Sequence, residues 1–386
     1  MKSEKFIAAR LRFNERIAMV AIAISFFVMI VAVSISSGFR AEFRKGVETL
    51  SGDVSVSDPE ADLSTAGHPL RGCARYISEL EKIEGVVSAS EVVSRAGIVK
   101  TESGIDGAVF KGVAGRTDSL GIVIPRSMAG KLGLEAGESL PAYFVGERVQ
   151  ARKFTISGVY DDILGERQGY VIFARLEDMR RLNGWSADEA SAIEVNLSAP
   201  FHGRADEQAK AEEIGARLYA ASPEDENAPA VISASRRYPQ IFSWLDLIDR
   251  NVLVILLLMT VVAGFNMVSG LLITLFRNTS TIGMLKAMGM TDRSVAGIFL
   301  RVSSRVVLKG MAIGNVCAIL FCLLQGSTHL LRLDPENYFV SFVPVILSPW
   351  GVAAADLAAY AVIMLALLIP SLYVSRVDPA KTVRAK

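Results

Sequence analysis

The sequence predicts an α-helical membrane protein with four transmembrane helices and an extracytoplasmic α+β domain inserted between helices 1 and 2. Three observations support this prediction: four long apolar windows, a polar segment of strand and helix patterns between the first two windows, and the distribution of Lys and Arg around them. Hydrophobic residues make up 51% of the 386-residue chain. This share is little above the roughly 45–50% typical of soluble proteins, so only part of the chain is expected in lipid.

Each apolar window has the roughly 20 residues that a spanning helix needs. The windows run from Ile17 to Ser37, from Val252 to Phe276, from Val306 to Leu331 and from Val352 to Val374. The first window follows a basic leader, as in a secretory signal peptide, but its apolar run exceeds the roughly 7–15 residues of a signal h-region. We therefore expect residues 1–38 to be a cytoplasmic leader followed by a retained transmembrane helix 1.

Basic residues beside the windows predict the orientation, because cytoplasmic loops carry an excess of Lys and Arg. The leader, the segment 277–305 and the tail 375–386 are basic, whereas the loop between the third and fourth windows is not. Arg40, Arg44 and Lys45 are a local exception just beyond helix 1. The pattern predicts a multi-pass protein with both termini and segment 277–305 in the cytoplasm.

The segment 39–251 is expected outside the cytoplasm as an α+β domain. Its two ends have β–α–β patterns, in which alternating apolar residues indicate strands and an apolar stripe of period 3.6 indicates helices. These patterns frame a β-rich piece at about 116–185. The domain is therefore expected to contain an inserted β-rich subdomain.

No motif points to catalysis or to a bound metal. The P-loop pattern GxxxxGK[ST], HExxH and GxSxG are all missing from the sequence, and its three histidines are scattered. The three cysteines form neither a disulfide framework nor a zinc-ligand pattern. A formal net charge of +1 argues against a nucleic-acid partner, which needs a basic surface. We expect a non-enzymatic membrane subunit without a cofactor or metal of its own.

A short amphipathic helix is predicted between the second and third windows. Thr279 or Ser280 can cap its start, and Gly289 suits the left-handed position at which helices end. Lys286 and Met284 flank an apolar stripe. This stripe consists of Ile282, Leu285 and Met288. Such a helix either docks on a partner or lies in the lipid interface with its lysine toward water.

Polar and small residues inside the windows suggest helix contacts. Gly310 and Gly314 form a GxxxG pair, which permits close approach of two helices. Asn266 lies in the middle of the second window and is expected to hydrogen-bond to a neighbouring helix. Asp356 lies near the predicted outer surface, where solvation is the simplest reading.

Five stretches carry a resemblance to a known family. They are FIAARLRF with SGFRAEFR, IVIPRSMAGKLGLEAGESL, FTISGVYDDILGERQGYVIF, the segment from QIFSWLDLIDRN through MLKAMGMTDRSVAGIFLR, and SRVDPAKTVRAK. In this order they resemble the LolC/LolE lipoprotein-releasing permeases, which group with the MacB- and FtsX-like permeases. Helix 1 lacks the glycine-rich stretch common in that family, so the resemblance does not separate a LolC-like from a LolE-like role.

The resemblance implies a permease subunit of an ATP-driven ABC transporter in the bacterial inner membrane, with a MacB-like outer domain. It would extract lipoproteins and pass them to a periplasmic LolA-like carrier. The remaining partners would be membrane lipids, a second permease copy or paralogue, and a LolD-like ATPase that holds ATP and Mg. On this resemblance the short cytoplasmic helix is the ATPase coupling helix. Its residues would be Thr279, Ile282, Gly283, Met284, Leu285, Lys286, Met288 and Gly289.

Two further sites follow from the resemblance alone. Helices 1 and 2 would line a lateral lipoprotein cavity with Ile35, Phe39, Val252, Leu256 and Met259; ordinary packing or a lipid-facing surface is the other reading of these residues. A carrier-docking loop would consist of Asp161, Asp162, Ile163, Leu164, Gly165 and Glu166, for which a solvated turn is the alternative.

The sequence is also compatible with two other functions. A MacB-like efflux permease would move another substrate, but that family usually carries its ATPase on the same chain. An FtsX-like signalling permease would move no substrate and would activate a cell-wall hydrolase outside the cytoplasm.

Overall fold

The computed structural model describes residues 15–61, 67–102, 104–146, 149–162, 169–198, 203–223, 227–334, 340 and 342–374. The chain divides into a helical unit (residues 1–41, 245–333 and 342–386) and a sheet unit (residues 42–244 and 334–341). The helices are α1 (Glu15–Ser51), α2 (Cys73–Leu80), α3 (Arg126–Leu132), α4 (Leu176–Asn183), α5 (Arg204–Ala221), α6 (Ala234–Arg237), α7 (Pro239–Arg277), α8 (Thr279–Ala287), α9 (Asp292–Thr328) and α10 (Pro349–Val374).

The strands all lie in the sheet unit. They are β1 (Val54–Ser57), β2 (Leu70–Arg71), β3 (Val86–Lys100), β4 (Ile105–Val113), β5 (Gly121–Pro125), β6 (Ser139–Phe144), β7 (Gln150–Tyr160), β8 (Tyr170–Arg175), β9 (Glu189–Ala190), β10 (Ala192–Leu197) and β11 (Ala230–Ser233). The order of the mixed sheet is β11-β1-β10-β3-β4-β8-β5-β7-β6, and β2 pairs with β9.

Six strands of the sheet close into a small barrel. Strand β6 pairs with β7 and also with β3, so the path β3-β4-β8-β5-β7-β6 returns to β3. The β4–β8 and β5–β7 pairs are parallel, whereas the other pairs around the barrel are antiparallel. The barrel takes β5 to β8 from the segment 116–185, and it takes β4 and the second half of β3 from upstream of that segment.

Aromatic side chains fill the barrel interior. The ring of Phe110 lies 4.9 Å from that of Phe144 and 5.4 Å from that of Phe154. Gly97 makes room for this cluster, because a Cβ at this position would stand 2.8 Å from Phe144 Cε1. Rings in such edge-on or offset contacts bury large apolar areas.

The remaining strands of the sheet form an antiparallel layer with helices on one face. In β1, Val54 and Val56 enter the same core as Leu80 of α2 and Ile214 of α5. Ser55, between the two valines, points to the opposite face because side chains alternate along a strand. The layer therefore has one apolar and one polar face.

A buried ion pair ties the end of α1 to this polar face. Lys111 Nζ of β4 lies 2.6 Å from Glu194 Oε2 of β10 and donates to the carbonyl oxygens of Leu50 at 2.9 Å and Thr49 at 3.4 Å. Burial lowers the pKa of Lys111 and raises the pKa of Glu194, against the opposite pull of their mutual attraction. Lys111 thereby satisfies carbonyls at the C-terminus of α1 that have no partner within the helix.

The helical unit supplies four helices that are long and apolar enough to cross a membrane, among the residues the structure describes: α1, α7, α9 and α10. Their shared core includes Phe26 of α1, Met267 of α7, Val306 of α9 and Ile363 of α10. Helices α7 and α9 start well before their apolar windows, at Pro239 and Asp292, and α9 ends at Thr328, three residues before the end of the third window.

The GxxxG pair packs α9 directly against α1. A Cβ at Gly314 would stand 2.5 Å from the carbonyl oxygen of Ala23, and one at Gly310 would stand 2.8 Å from Ile22 Cγ2. The two glycines thus allow the backbones of α1 and α9 to come into direct contact. The simple solvation expected of Asp356 is wrong, because Asn315 of α9 donates to its Oδ2 at 2.6 Å. This bond and the one between Ser304 and Tyr360 connect α9 to α10.

Candidate functional site

The short helix α8 begins directly after α7, with Asn278 as the single residue between Arg277 and Thr279. Asn278 occupies its N-cap position, and the side chain of Asn278 donates back to the carbonyl oxygen of Thr274 at 2.7 Å. The expectation that Thr279 or Ser280 caps the helix is therefore wrong. Thr279 is the first helical residue, and its hydroxyl donates to the carbonyl oxygen of Phe276 at 3.1 Å.

The C-terminus of α8 closes through a Schellman motif. Gly289 has φ +91°, a left-handed conformation in which glycine carries no Cβ penalty. Its N–H donates to the carbonyl oxygen of Lys286 at 2.9 Å, and the N–H of Met290 donates to that of Leu285 at 3.1 Å. This double hydrogen bond is the pattern that ends many helices at glycine, and it sets the direction of the chain into α9.

The two faces of α8 have different environments. Ile282 is 2% exposed and belongs to the core of the helical unit with Leu275 and Phe299. The prediction that Ile282 belongs to an exposed apolar stripe is therefore wrong. Met284 and Met288 are 61% and 71% exposed. They lie four residues apart on one face, about 120–160° around the helix from Ile282.

An ion pair fixes α8 to the first turn of α9. Lys286 Nζ lies 2.9 Å from Asp292 Oδ1, and the Lys286 side chain is only 10% exposed. Thr291 caps α9 by accepting a hydrogen bond from the Ser294 N–H at 3.4 Å. The packing of Ile282, the Lys286 ion pair and the Schellman motif hold α8 in place. The face of α8 that carries Met284 and Met288, here called the methionine face, is therefore exposed on a helix of fixed position. Leu285, beside that face, is half-buried.

Helices α1 and α7, which carry the five cavity candidates, contact each other. Asp249 of α7 accepts a hydrogen bond from Ser36 at 2.6 Å and forms an ion pair with Arg40. Thr260 Oγ1 of α7 lies 3.9 Å from Met29 Sδ of α1. The helices are antiparallel here, because the second contact involves an earlier residue of α1 and a later residue of α7.

The cavity candidates themselves are unequal in burial. Phe39 is buried and Ile35 is half-buried on α1. Val252, Leu256 and Met259 are half-buried on α7, and the last two pack on the core of the helical unit. The described contacts place α1 and α7 side by side. Leu256 and Met259 contribute part of their surface to packing against the core.

The first two residues of the carrier-loop candidate, Asp161 and Asp162, contact the first turn of α3. Asp161 forms an ion pair with Arg126, and Asp162 Oδ1 accepts a hydrogen bond from the Ser127 N–H at 3.1 Å. The hydrogen bond and charge of Asp161 raise the pKa of Arg126. Ile163, Leu164, Gly165 and Glu166 lie outside the described residues. The two aspartates therefore anchor the loop start to α3.

Sequence reasoning missed Asp249 and its two partners. Arg40 is an exception to the charge pattern, and Asp249, an acidic residue at the edge of the next apolar window, is the sequence signal that accounts for it. It also missed Gln325, a polar residue near the end of the third window that is buried in the structure. No candidate metal group of three or more His, Cys, Asp or Glu occurs within the described part of the chain.

Comparisons with known proteins cover nearly the whole chain. Residues 17–246 match the family model of the MacB-like periplasmic core domain, and residues 253–379 match that of the FtsX-like permease C-terminal domain. The lipoprotein-releasing system transmembrane protein LolC of Xylella fastidiosa is 22% identical, covering 96% of this chain and 94% of that protein. LolE of the same system in Haemophilus influenzae is 21% identical, covering 94% and 92%.

A solved structure with a likeness to this chain is the periplasmic region of MacB from Actinobacillus actinomycetemcomitans. It is 13% identical, covers 52% of this chain and 97% of that chain, and has a TM-score of 0.34. The family follows from the sequence matches, because the MacB-like model alone spans more than half of the chain. The chain therefore belongs to the LolC/LolE family of permeases, which join a MacB-like periplasmic core domain to an FtsX-like C-terminal domain.

Proposed function

We propose that this chain is the permease subunit of an ATP-driven ABC transporter that extracts lipoproteins from the inner membrane and passes them to a periplasmic carrier. One observation carries the proposal. Proteins named for lipoprotein release align with this chain over 96% of its length and 94% of theirs. The alignment thus includes both the sheet unit and the long apolar helices.

In this proposal ATP is hydrolysed on a separate LolD-like subunit, which also holds Mg, because this chain has no P-loop. In this proposal α8 is the coupling helix, and its methionine face is the surface on which the ATPase docks. Its exposed Met284 and Met288 are flexible apolar side chains suited to a partner's groove. Since Lys286 holds α8 to α9, a force on the methionine face would pass into α9.

The proposed topology places both termini and residues 277–305 in the cytoplasm and residues 39–251 in the periplasm. The spans follow the apolar windows 17–37, 252–276, 306–331 and 352–374, which fall on α1, α7, α9 and α10 except for the last three residues of the third window. The distribution of Lys and Arg supports this orientation. A second permease copy or a paralogue completes the transporter.

The lipoprotein path in this proposal runs beside α1 and α7, along Ile35, Phe39, Val252, Leu256 and Met259. Contacts of Asp249 with Ser36 and Arg40 support it, because they hold the two helices together near these positions. The carrier would dock near the loop that begins at Asp161 and Asp162.

One other function has a specific observation in its favour. Residues 253–379 match the FtsX-like C-terminal domain, which fits a signalling permease that activates a cell-wall hydrolase outside the cytoplasm. Such a protein would move no lipoprotein. The two functions therefore differ in what accumulates in the inner membrane when the chain is removed.

Depletion of the chain tests the proposal. The distribution of acylated lipoproteins between inner and outer membranes is measured by fractionation, with complementation by the wild-type chain as the control. Retention in the inner membrane, reversed by complementation, is the expected result. An unchanged distribution together with defective cell separation would overturn lipoprotein release and favour the signalling function.

A further inference from the structure

The segment that joins α9 to α10 lies, together with the first turn of α10, against α1 at three points. We call residues 342–351 the outer seat. The N–H of Ile346 donates to the carbonyl oxygen of Ser34 at 3.0 Å. A Cβ at Gly38 would overlap the Pro344 carbonyl group, whose carbon would be 2.5 Å away. A Cβ at Gly351 would lie 3.5 Å from Val33 Cγ1.

A buried glutamine at the end of α9 holds the outer seat in place. Gln325 is 2% exposed. Its Nε2 donates to the carbonyl oxygens of Leu331 at 3.3 Å and Val343 at 3.2 Å, and its Oε1 accepts from the Leu331 N–H at 3.0 Å. The Val343 N–H also donates to the Leu331 carbonyl oxygen at 3.0 Å. One amide group thus satisfies three backbone groups that have no regular secondary structure around them.

The helical repeat relates the outer seat to the candidate cavity residues. Successive residues of an α-helix differ by about 100° around its axis. Ser34 and Gly38 therefore form one stripe of α1, Ile35 and Phe39 form the next, and Ser36 and Arg40 form the third. The first stripe contacts the outer seat and the third contacts Asp249 of α7.

We propose that the outer seat is a fixed support that, together with Asp249, orients this middle stripe of α1 so that the half-buried Ile35 faces the lipoprotein, whereas Phe39 of the same stripe is buried. Gln325 and Gly38 are positioning residues in this arrangement, since they act on the stripe through the backbone of α1 and the seat. The inference rests on the proposed lipoprotein-release function. It adds that the loop between α9 and α10 does not leave α1 during transport.

The first test replaces Gly38 or Gln325 in the reconstituted transporter, which contains the full chain and its ATPase. Gly38→Ala places a Cβ in the Pro344 carbonyl group, and Gln325→Met removes three hydrogen bonds at similar volume. A photoreactive benzoylphenylalanine at position 35 reports contact with an acylated lipoprotein. We expect adduct formation to fall several-fold in both variants while basal ATP hydrolysis is retained. Gly264→Ala is the matched control, because its Cβ would meet no atom of the described part of the chain within 4 Å.

The second test locks the seat. Cysteines replace Val33 and Gly351, because a Cβ at Gly351 would lie 3.5 Å from Val33 Cγ1, a position that a cysteine Sγ can take. The background carries serine at Cys73, Cys317 and Cys322. The disulfide should form, and the oxidised protein should release lipoprotein at the rate of the reduced protein. Failure of the disulfide to form, or release that is lost on oxidation and recovered on reduction, would overturn the fixed seat. A wild-type protein that neither labels nor releases lipoprotein would instead refute the proposed function, while cross-linking still reports on the seat.

Discussion

The carboxylate of Asp249 on α7 accepts a 2.6 Å hydrogen bond from Ser36 on α1, although the two residues are 213 positions apart in sequence. Arg40, one turn further along α1, is paired with the same carboxylate. A single acidic side chain thus joins the two helices that flank the proposed lipoprotein path. A charged side chain next to the apolar part of a membrane helix is stabilised by pairing with an opposite charge.

Loss of this carboxylate should loosen α1 from α7. We expect Asp249→Leu to lower the melting temperature of the detergent-solubilised chain by several degrees, and Asp249→Asn by less, because the amide still accepts the Ser36 hydrogen bond. A bond to a charged group contributes roughly 1.5–3 kcal/mol, reduced here because Arg40 is largely exposed. The double variant Arg40→Asp with Asp249→Arg should recover part of the loss. A double variant no more stable than the weaker single variant would contradict the pairing.

The GxxxG contact predicts a strict requirement for glycine at position 314. Gly314→Ala would put a Cβ 2.5 Å from the Ala23 carbonyl oxygen, and backbone at that distance cannot rotate away. We expect the free energy of unfolding to fall by about 1–3 kcal/mol, measured by thermal or denaturant melting in detergent. Gly297→Ala in the same helix meets nothing within 4 Å and should be neutral or stabilising, since alanine is the better helix former. Equal effects of the two substitutions would contradict close packing of α9 on α1.

The methionine face of α8 predicts how the partner ATPase is bound. Met284→Asp with Met288→Asp should reduce ATPase binding at least tenfold, because burial of each methionine is worth roughly 1.5–3 kcal/mol. Co-purification and titration with the purified ATPase measure the effect. Met284→Leu with Met288→Leu keeps apolar volume and should retain binding. If both pairs bind ATPase like the wild type, α8 is not the docking helix.

Glu207 of α5 predicts a pH dependence of the sheet unit. Its Oε1 accepts the Ser235 N–H at 2.9 Å, whereas its buried Oε2 has no hydrogen-bond partner among the residues that the structure describes. Burial is the main cause that raises the pKa of Glu207, and Asp53 adds to the rise, while Ser235 and Arg44 oppose it. A raised pKa in the folded state means that this group stabilises the fold at low pH, and that the contribution is lost as pH rises through the folded-state pKa.

Glu207→Gln should therefore raise the melting temperature at pH 7.5 by about 2–4 °C, the change expected for ~1 kcal/mol in a unit of this size. Melting followed from pH 5 to pH 8 on the full chain should show a smaller decline with pH in the variant than in the wild type. Parallel pH profiles would show that Glu207 does not titrate in this range.

The four apolar helices could be predicted from the sequence because hydropathy is a local property of about 20 residues. The end of α8 at Gly289 could also be predicted, since the left-handed requirement is written into one residue. The burial of Ile282 could not. Its neighbours Val295 and Phe299 belong to the next helix, and a periodic stripe does not state which of its residues faces the protein.

Long-range pairing explains the other gaps. The barrel closes through Ile98 opposite Tyr143, a contact whose partners show no sign of each other in either strand's pattern. Arg40 and Asp249 are separated by 209 positions, so each alone reads as an isolated charge at a window edge. The sequence predicts the cap of α8 at Thr279 or Ser280, one or two residues after the Asn278 found at the N-cap position, whose side chain bonds to Thr274 of α7 and not to α8.

The contact of Lys111 with the last carbonyls of α1 has a consequence for how the family can vary. Lys111 recognises main-chain oxygens of Thr49 and Leu50, which every amino acid offers, so substitutions at these two positions leave the attachment intact. Lys111 and Glu194 have no such freedom. Removing either one leaves a buried charge without its partner, which costs about 3–5 kcal/mol of folding stability. The two positions should therefore change together over evolution, from an ion pair to an apolar pair. The sequence at the end of α1 can vary independently of them.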